Sequence, residues 1–479
     1  MPQSMGARPL PADAPRLLNL NPLAQLRAGR LPRRLVQLFC GLSLFGVSIP
    51  LMLRGTLGAM PWDVLHVGIA SRVPFSIGTV MILTSFLVLL LWIPPLLYLS
   101  FSVFYYAFLA VAYFVTRDRQ EAVAHGTRRY LVLIPAHNEE AVIGRVLASL
   151  TRVAYDRGDF EACVIADNCT DGTAGIVRRH DVKVLERNDA SKKGKGFAIE
   201  WALSRIDIDV FDAVVIVDAD NLIDPGFFHG LDEVLDGGRS AIQCNNCLAN
   251  SHDTAFTGVI HLSRTINNEL YHHVKHRIGL SSYLMGNGMC FTTRLLTEHP
   301  WVTGTMAEDY EYYAKLVASG EIVGFAANSR LYHQESRGLR HASEQRLRWS
   351  AGRFEVARRY GLRLFMRGLK TRNLRIVDAS FPLILPNLSL MVNMTAAALA
   401  AGLVTHCFIP VPLVVLWLVF LMTMEAAYFA SGVYLTGMPV LRFLHAIGFA
   451  PLFLVWKGCI DLLGISGRKT GQWGRSGRL

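Results

Sequence analysis

From Phe75 to Phe114 the chain runs for about forty residues without one charged side chain. At about twenty residues per bilayer crossing that is enough for two helices, with Pro94 and Pro95 expected to mark the break between them. Leu35 to Leu53, Phe381 to Thr405 and Phe408 to Ala430 are further spans of the right length. Val440 to Ile465 is apolar too but carries Arg442, His445, Lys457 and Asp461, which suits an interfacial helix as well as a crossing. Composition agrees: 52% of the 479 residues are hydrophobic and only 18% charged, with mean hydropathy +0.31. That is too apolar for one soluble globule and too long for a single domain, so the expected class is a membrane protein with a sizeable soluble part.

Charge gives the orientation. The net charge of +11 sits largely in clusters beside the apolar runs, at Arg27 to Arg34, Arg117 to Arg129, Arg346 to Arg375 and Arg468 to Arg478. Such clusters suit anionic lipid headgroups and cytoplasmic loops rather than nucleic acid. Residues 1–29 read as a cytoplasmic leader, not a cleavable signal, because the first apolar run starts only near Leu35. A basic leader and a basic Arg117 to Arg129 on the same side require an even number of crossings. Either Arg54 to Pro74 supplies a poor extra one or one apolar run does not span. The wording RGTLGAMPWDVLHVGIASRVPFSIGT resembles the start of the YczE-like bacterial membrane proteins. Of the eight cysteines only Cys244 and Cys247 are close, a spacing that fits thiols in a reducing cytosol better than zinc.

Between Tyr130 and about Ser336 the pattern changes to short apolar strands alternating with amphipathic helices. YLVLIPAHNEE, ACVIADNCTDGTAGIV, VKVLERNDASKKGKGFAIEWALSRI and FDAVVIVDAD each run from a buried strand into a polar loop. This β-α-β-α-β order implies an α/β, Rossmann-like, mostly parallel sheet that binds ligands at the carboxyl ends of its strands. Those ends carry Asn138 and Glu139, Asp167 and Asp171, Lys193 and Lys195, and Asp218 and Asp220. Two carboxylates one residue apart can offer hard oxygen ligands to Mg²⁺ or Mn²⁺, although an Asp-rich turn has the same look. Four such ends aimed at one crevice favour a binding site, with chemistry suited to a nucleoside diphosphate: an acid for base or ribose, a lysine for phosphate, a metal between. No P-loop and no dinucleotide fingerprint is present.

Downstream, Gly286 and Gly288 in SYLMGNGMCF allow close approach of backbone to a ligand or make a plain turn. Glu308, Asp309 and Glu311 open a helix, either as partners of its dipole or, for Asp309, as a general base. EQRLRWSAGRFEVARRYGLRLFMRGL is a basic amphipathic helix. His272, His273 and His276 have helical spacing that reads as a polar face before it reads as a zinc site. Trp301 reads as packing.

The ordered set PAHNEE, DNCTDGT, GKGFA, VDAD, GNG, AED and Gln345-Arg346-Leu347-Arg348-Trp349 resembles the membrane-embedded family 2 glycosyltransferases, similar to cellulose, hyaluronan and poly-N-acetylglucosamine synthases. The resemblance implies a GT-A catalytic domain flanked by transmembrane helices, and an inverting enzyme that moves a sugar from a UDP-sugar to a glycan or lipid acceptor in polysaccharide synthesis. It implies donor binding by Pro135, Asn138, Glu139, Asp167, Lys195, Asp218 and Asp220, with Mg²⁺ or Mn²⁺ on Asp218 and Asp220. It implies catalysis by Asp309 with Glu308 beside it, and diphosphate or acceptor binding by Gly288, Gln345, Arg348 and Trp349. Ala307 replaces the usual threonine before Glu308, and no gating-loop motif follows Trp349. Two other readings therefore stand: single addition of a sugar to a lipid, and a non-catalytic membrane transport or scaffold protein that binds nucleotide. The expected layout is a leader (1–29), a membrane region (30–116), the catalytic domain (130–352), interface helices (353–380), a second membrane region (381–466) and a basic tail (467–479). The setting expected is the inner membrane, multi-pass, with the catalytic domain cytoplasmic. Donor, acceptor and membrane lipids are the expected partners; nucleic acid is not.

Overall fold

The computed structural model describes residues 37, 39, 61–116, 126–156, 158–336, 339–408 and 411–466. The leader, nearly all of the first apolar run, most of the Arg117 to Arg129 cluster and the basic tail lie outside the described residues. The chain divides into two compact units, Met1–Pro94 with Thr405–Pro410, and Pro95–Val404 with Val411–Leu479. In the first, a short helix α1 (Pro61–Ala70) is followed by the start of α2 (Ile77–Thr116), and His66 Nε2 lies 2.7 Å from Thr84 Oγ1.

Helix α2 corrects an expectation. Pro94 and Pro95 lie inside one 40-residue helix and do not separate two. Each proline removes one backbone donor, a cost that a helix lying in apolar surroundings can carry because no water would compete for the neighbouring groups. Among the described residues four helices are long and apolar enough to cross a membrane: Ile77–Thr116, Leu388–His406, Pro412–Thr436 and Leu441–Ile465.

The second unit is built on one eight-stranded sheet in the order β3-β2-β1-β4-β7-β6-β8-β5. In chain order its strands are β1 (Arg128–Ala136), β2 (Gly158–Asp167), β3 (Lys183–Arg187), β4 (Ala213–Ile216), β5 (Asn221–Ile223), β6 (Ala241–Leu248), β7 (Met289–Thr292) and β8 (Val323–His333). β1 pairs in parallel with β2 and with β4, and β2 with β3, as the alternation of strand and helix dictates. β7 is antiparallel to both β4 and β6. Both faces are covered. Leu131 and Leu133 of β1 enter one core with Val214, Ile216 and the helix Lys195–Leu203, while Tyr130, Val132 and Ile134 enter the other with Val146, Phe227 and Phe228. Period-two alternation thus feeds two cores from one strand, which is why β1 and β4 read as unbroken apolar runs.

The chain leaves the sheet into helices Leu339–Val356, Leu362–Lys370 and Leu374–Ile384, then three long helices ending with Val440–Ile465. Two of the four residues that left this last helix ambiguous satisfy one another: Lys457 pairs with Asp461, whose Oδ1 also accepts a hydrogen bond of 2.8 Å from Ser350. Trp456 Nε1 donates to Ser343 Oγ at 2.8 Å, so the helix is docked along Leu339–Val356.

Candidate active site

β4 stops at Ile216, and the next four residues turn across the carboxyl edge of the sheet. Asp218 N donates to Asn287 Oδ1 at 3.1 Å, which ties this turn to the loop before β7. Asn287 in turn donates to Asn221 Oδ1 and Asn246 Oδ1, both at 3.1 Å, and Asn221 Nδ2 reaches Asp220 Oδ1 at 3.1 Å. Below them Gln243 donates through Nε2 to Asn287 O at 2.7 Å and accepts through Oε1 from Met285 N at 2.7 Å, and Asn246 Nδ2 also donates to Asn287 O. This buried amide network fixes the two aspartates and was missed from the sequence. Its signal was present in AIQCNNCLAN, a strand whose inward positions carry amides where an ordinary core carries aliphatics. Cys244 and Cys247, on the same strand, are free thiols, with a register shift between Cys244 and Asn245.

Lys195, the first residue of helix Lys195–Leu203, donates to Asp218 Oδ1 and to the carbonyl of Gly286. Burial works against its charge, but Asp218, Glu308 and Asp309 together raise its pKa above the ordinary value. The lysine therefore stays cationic among three carboxylates. Gly286 has φ +77°, and a Cβ there would lie 3.0 Å from Asp309 Oδ2, so backbone and catalytic-type acid touch at this point. Gly288 has a different job. Its N–H donates to Ile216 O and its carbonyl accepts from Cys244 N, and a Cβ would strike Leu331 at 2.6 Å. It stitches β4 to β6, leaving Gly286 to face Asp309.

The three acids opening helix Glu308–Ser319 divide by environment. Glu311 accepts from Gly304 N and Thr305 N at 2.9 and 2.8 Å and pairs with Lys315; against the opposing effect of burial, these hold its pKa down at about 2. It caps its own loop. Glu308 and Asp309 turn the other way. Burial raises both, and repulsion from Glu308 helps bring Asp309 to about 7. A carboxyl poised there accepts a proton near neutrality. Glu308 also packs over helix Lys195–Leu203, where a Cβ on Gly196 would meet Glu308 Cβ at 3.1 Å.

Arg348 joins this group from helix Leu339–Val356. Burial lowers its pKa, with Glu308 and Asp218 acting in opposition. The helix is held close because Gly352 faces Ala307, where a Cβ would meet Ala307 Cβ at 3.0 Å and its backbone N at 3.2 Å. A small residue before Glu308 is thus matched to a glycine on the facing helix. Trp349 is 44% exposed, with the Arg346 guanidinium 5.8 Å from its ring centre. Gln345 lies one turn earlier and is partly buried.

The first two strand ends form a separate part of the crevice. Asp167 is fully buried; Oδ1 accepts from Arg187 Nη1 at 2.5 Å and Asn168 Nδ2 at 3.0 Å, while buried Oδ2 has no hydrogen-bond partner. An orphaned carboxylate oxygen suits an N–H donor on a ligand. Pro135 is buried in β1 beside Ile165. Asn138, at φ 56°, accepts from Thr170 N at 2.7 Å, and Glu139 N donates to Thr173 Oγ1 at 2.9 Å, so these two lock the first loop to the second. No group of three or more metal-ligating side chains occurs among the described residues. Asp218 and Asp220 fit an oxygen-preferring Mg²⁺ or Mn²⁺ that takes its other ligands from phosphate and water. His272 is buried and stacked on Phe325 at 5.3 Å, a packing role, and Trp301 is buried with Nε1 on Gly196 O at 3.2 Å.

Residues 127–352, which carry every one of these side chains, match the family model described as glycosyltransferase like family 2. This stretch is similar to family 2 glycosyltransferase domains. Its sheet, mostly parallel with an antiparallel β7 inserted beside β4, is the GT-A fold. Over 157 residues the chain is 29% identical to a β-monoglucosyldiacylglycerol synthase of Nostoc sp., covering 31% of this chain and 32% of that one. Over 243 residues it is 24% identical to the probable glycosyltransferase YdaM of Bacillus subtilis, 49% of this chain and 57% of that one. The chain thus spans between about a third and just over half the length of these curated relatives. Among solved structures, mannosyltransferase PcManGT of Pyrobaculum calidifontis aligns at 19% identity and TM-score 0.44, over 71% of this chain and 97% of that one.

Proposed function

We propose that this protein is an inverting glycosyltransferase that moves a sugar from a UDP-sugar to a glycan or lipid-linked acceptor held at a membrane, in polysaccharide synthesis. The observation that carries the reading is the placement of Asp309 and Glu308 against Gly286 and Lys195, across from Asp218. A proton acceptor and a diphosphate seat then stand on the same crevice. In this reading Asp167 takes an N–H of the nucleobase through Oδ2, and Arg187 holds Asp167 in place. Lys195 and Arg348 neutralise the diphosphate as it leaves. A divalent cation held by Asp220 and Asp218 would supply further charge stabilisation to the leaving group. Asp309 removes the acceptor hydroxyl's proton, and Glu308 keeps that carboxyl basic enough by repulsion. Attack opposite the leaving group inverts the anomeric centre.

The four apolar helices support a membrane setting with the glycosyltransferase domain on the cytoplasmic side, where nucleotide sugars are made. A second reading, single addition to a lipid, is favoured by the continuous helical path from Leu339 to Lys370, which follows Trp349 directly. The test is the full chain in lipid nanodiscs with Mn²⁺ and a panel of UDP-sugars, read by UDP release and product mass. Polymers support polysaccharide synthesis and single-sugar lipids the second reading. Donor binding without UDP release from any sugar would mean a scaffold and would overturn both.

A further inference from the structure

Arg264, on helix Ala255–Asn267, is a guanidinium without a carboxylate. Among the described residues its only polar neighbour within bonding range is the thioether of Met285, 4.0 Å from Nη1. A thioether is a weak acceptor and a guanidinium has five N–H donors to satisfy, so this is poor compensation for a partly buried charge. Its charged surroundings do not make up for this. Arg346 pairs with the buried Glu335 at 2.8 Å and leaves its own Nε without a hydrogen-bond partner. Burial and the positive charge of Arg346 both lower the pKa of Arg264, with Glu335 only partly opposing.

The place is as informative as the charge. Met285 immediately precedes Gly286, which touches Asp309, and Asn267 Nδ2 also approaches Met285 Sδ, at 3.6 Å. Asn267 Oδ1 accepts from Tyr283 at 2.9 Å, and Tyr283 stacks on Tyr310, the neighbour of Asp309, with ring centres 5.5 Å apart. Helix Ala255–Asn267 is at the same time packed on two of the apolar helices: Phe256 against Trp456 at 5.4 Å, and Ile266 against Gly432. Arg264 therefore lies between the membrane-type helices and the acid that would activate an acceptor.

We propose that Arg264 and Arg346 bind a phosphate group carried by the acceptor, so that the acceptor is an anionic, phosphate-bearing lipid rather than a neutral one. Two guanidiniums with donors to spare match a phosphate, which accepts paired N–H bonds, and a neutral glycerol backbone would leave the Arg264 charge uncompensated. The proposal rests on the transferase reading for the word acceptor, but the site itself does not depend on turnover.

The experiment is a thermal-shift titration of the full chain in neutral detergent with dioctanoyl phosphatidic acid, and separately with dioctanoylglycerol. The unsubstituted protein should be stabilised by the phosphatidic acid only. Arg264→Gln should weaken that effect at least tenfold in apparent affinity. Arg264→Lys keeps the charge without the fork and should weaken it less, and it serves if the glutamine variant does not fold. Equal stabilisation by both lipids, or an unchanged response in either variant, overturns the proposal. Loss of the phosphatidic acid effect on adding UDP and Mn²⁺ overturns it too, since the arginines would then belong to the donor diphosphate. Failure of UDP release from every donor, with the lipid response intact, would count against the transferase reading alone.

Discussion

At the scale of single residues the site is decided by small differences in surroundings. Three acids share one helical turn, yet Glu311 is held ionised by backbone N–H groups and Lys315 while Asp309 is pushed to about 7. Rate should therefore fall as pH drops through about 7, because the protonated acid cannot accept the acceptor's proton; a kcat profile from pH 5 to 9 checks this. Stability should move the opposite way. The folded pKa of Asp309 lies above its unfolded value, so the native state binds the extra proton and stability declines as pH rises from about 4 to about 7. Asp309→Asn removes the buried charge and should abolish transfer while raising Tm above pH 7 by a few degrees, on the order expected for a kcal/mol-scale change. A pH-independent Tm difference would place the effect elsewhere. Gly286→Ala must strain a backbone at φ +77° and press on Asp309, so it should cost at least about tenfold in kcat with donor KM little changed.

At the scale of elements, helix Leu339–Val356 brings Arg348 to the crevice only as far as its packing allows. Gly352 sets that distance against Ala307. Gly352→Ala gains helix propensity, worth about 1 kcal/mol in an exposed helix, but here the methyl meets backbone and should push the helix outward. The expected result is a raised donor KM with expression retained; an unchanged KM would mean that Arg348 is not positioned by this contact. The polar sheet interior is the companion device. Gln243, Asn246 and Asn287 rigidify the loop that bears Gly286, and Asn287→Leu, which leaves several partners unsatisfied, should destabilise the protein by about 1–3 kcal/mol in denaturant titration.

At the scale of the whole molecule, metal and membrane are the two outside requirements of the proposed function. Chelation should stop UDP release, and Asp220→Asn should shift the Mn²⁺ concentration for half-maximal rate upward by at least about tenfold, whereas an unshifted midpoint would remove Asp220 from the metal. Helix Val440–Ile465 carries an exposed Cys459. In a variant with no other cysteine, a lipid-soluble maleimide should label Cys459 in intact vesicles and a water-soluble one should not; equal labelling would place that helix in water.

The sequence by itself determined the class of fold and which polar residues stand at the strand ends of the candidate site. Apolar runs of membrane length, the repeated strand-to-loop order and the acids at Asp167, Asp218, Asp220 and Asp309 were all legible, because period-two patterning, turn residues and charge at strand ends are local properties. Which residues face one another was not local. That Lys195 pairs with Asp218, that Gly286 and not Gly288 meets Asp309, and that Ala307 answers Gly352 depend on chain segments far apart in sequence. The continuous helix through Pro94 and Pro95 is a similar case: the local signal says break, and the helix runs on through both prolines. The amide network on β6 was visible as letters but had no meaning until Asn287 and Asn221 were folded onto it, since a buried amide is a liability until its partners arrive.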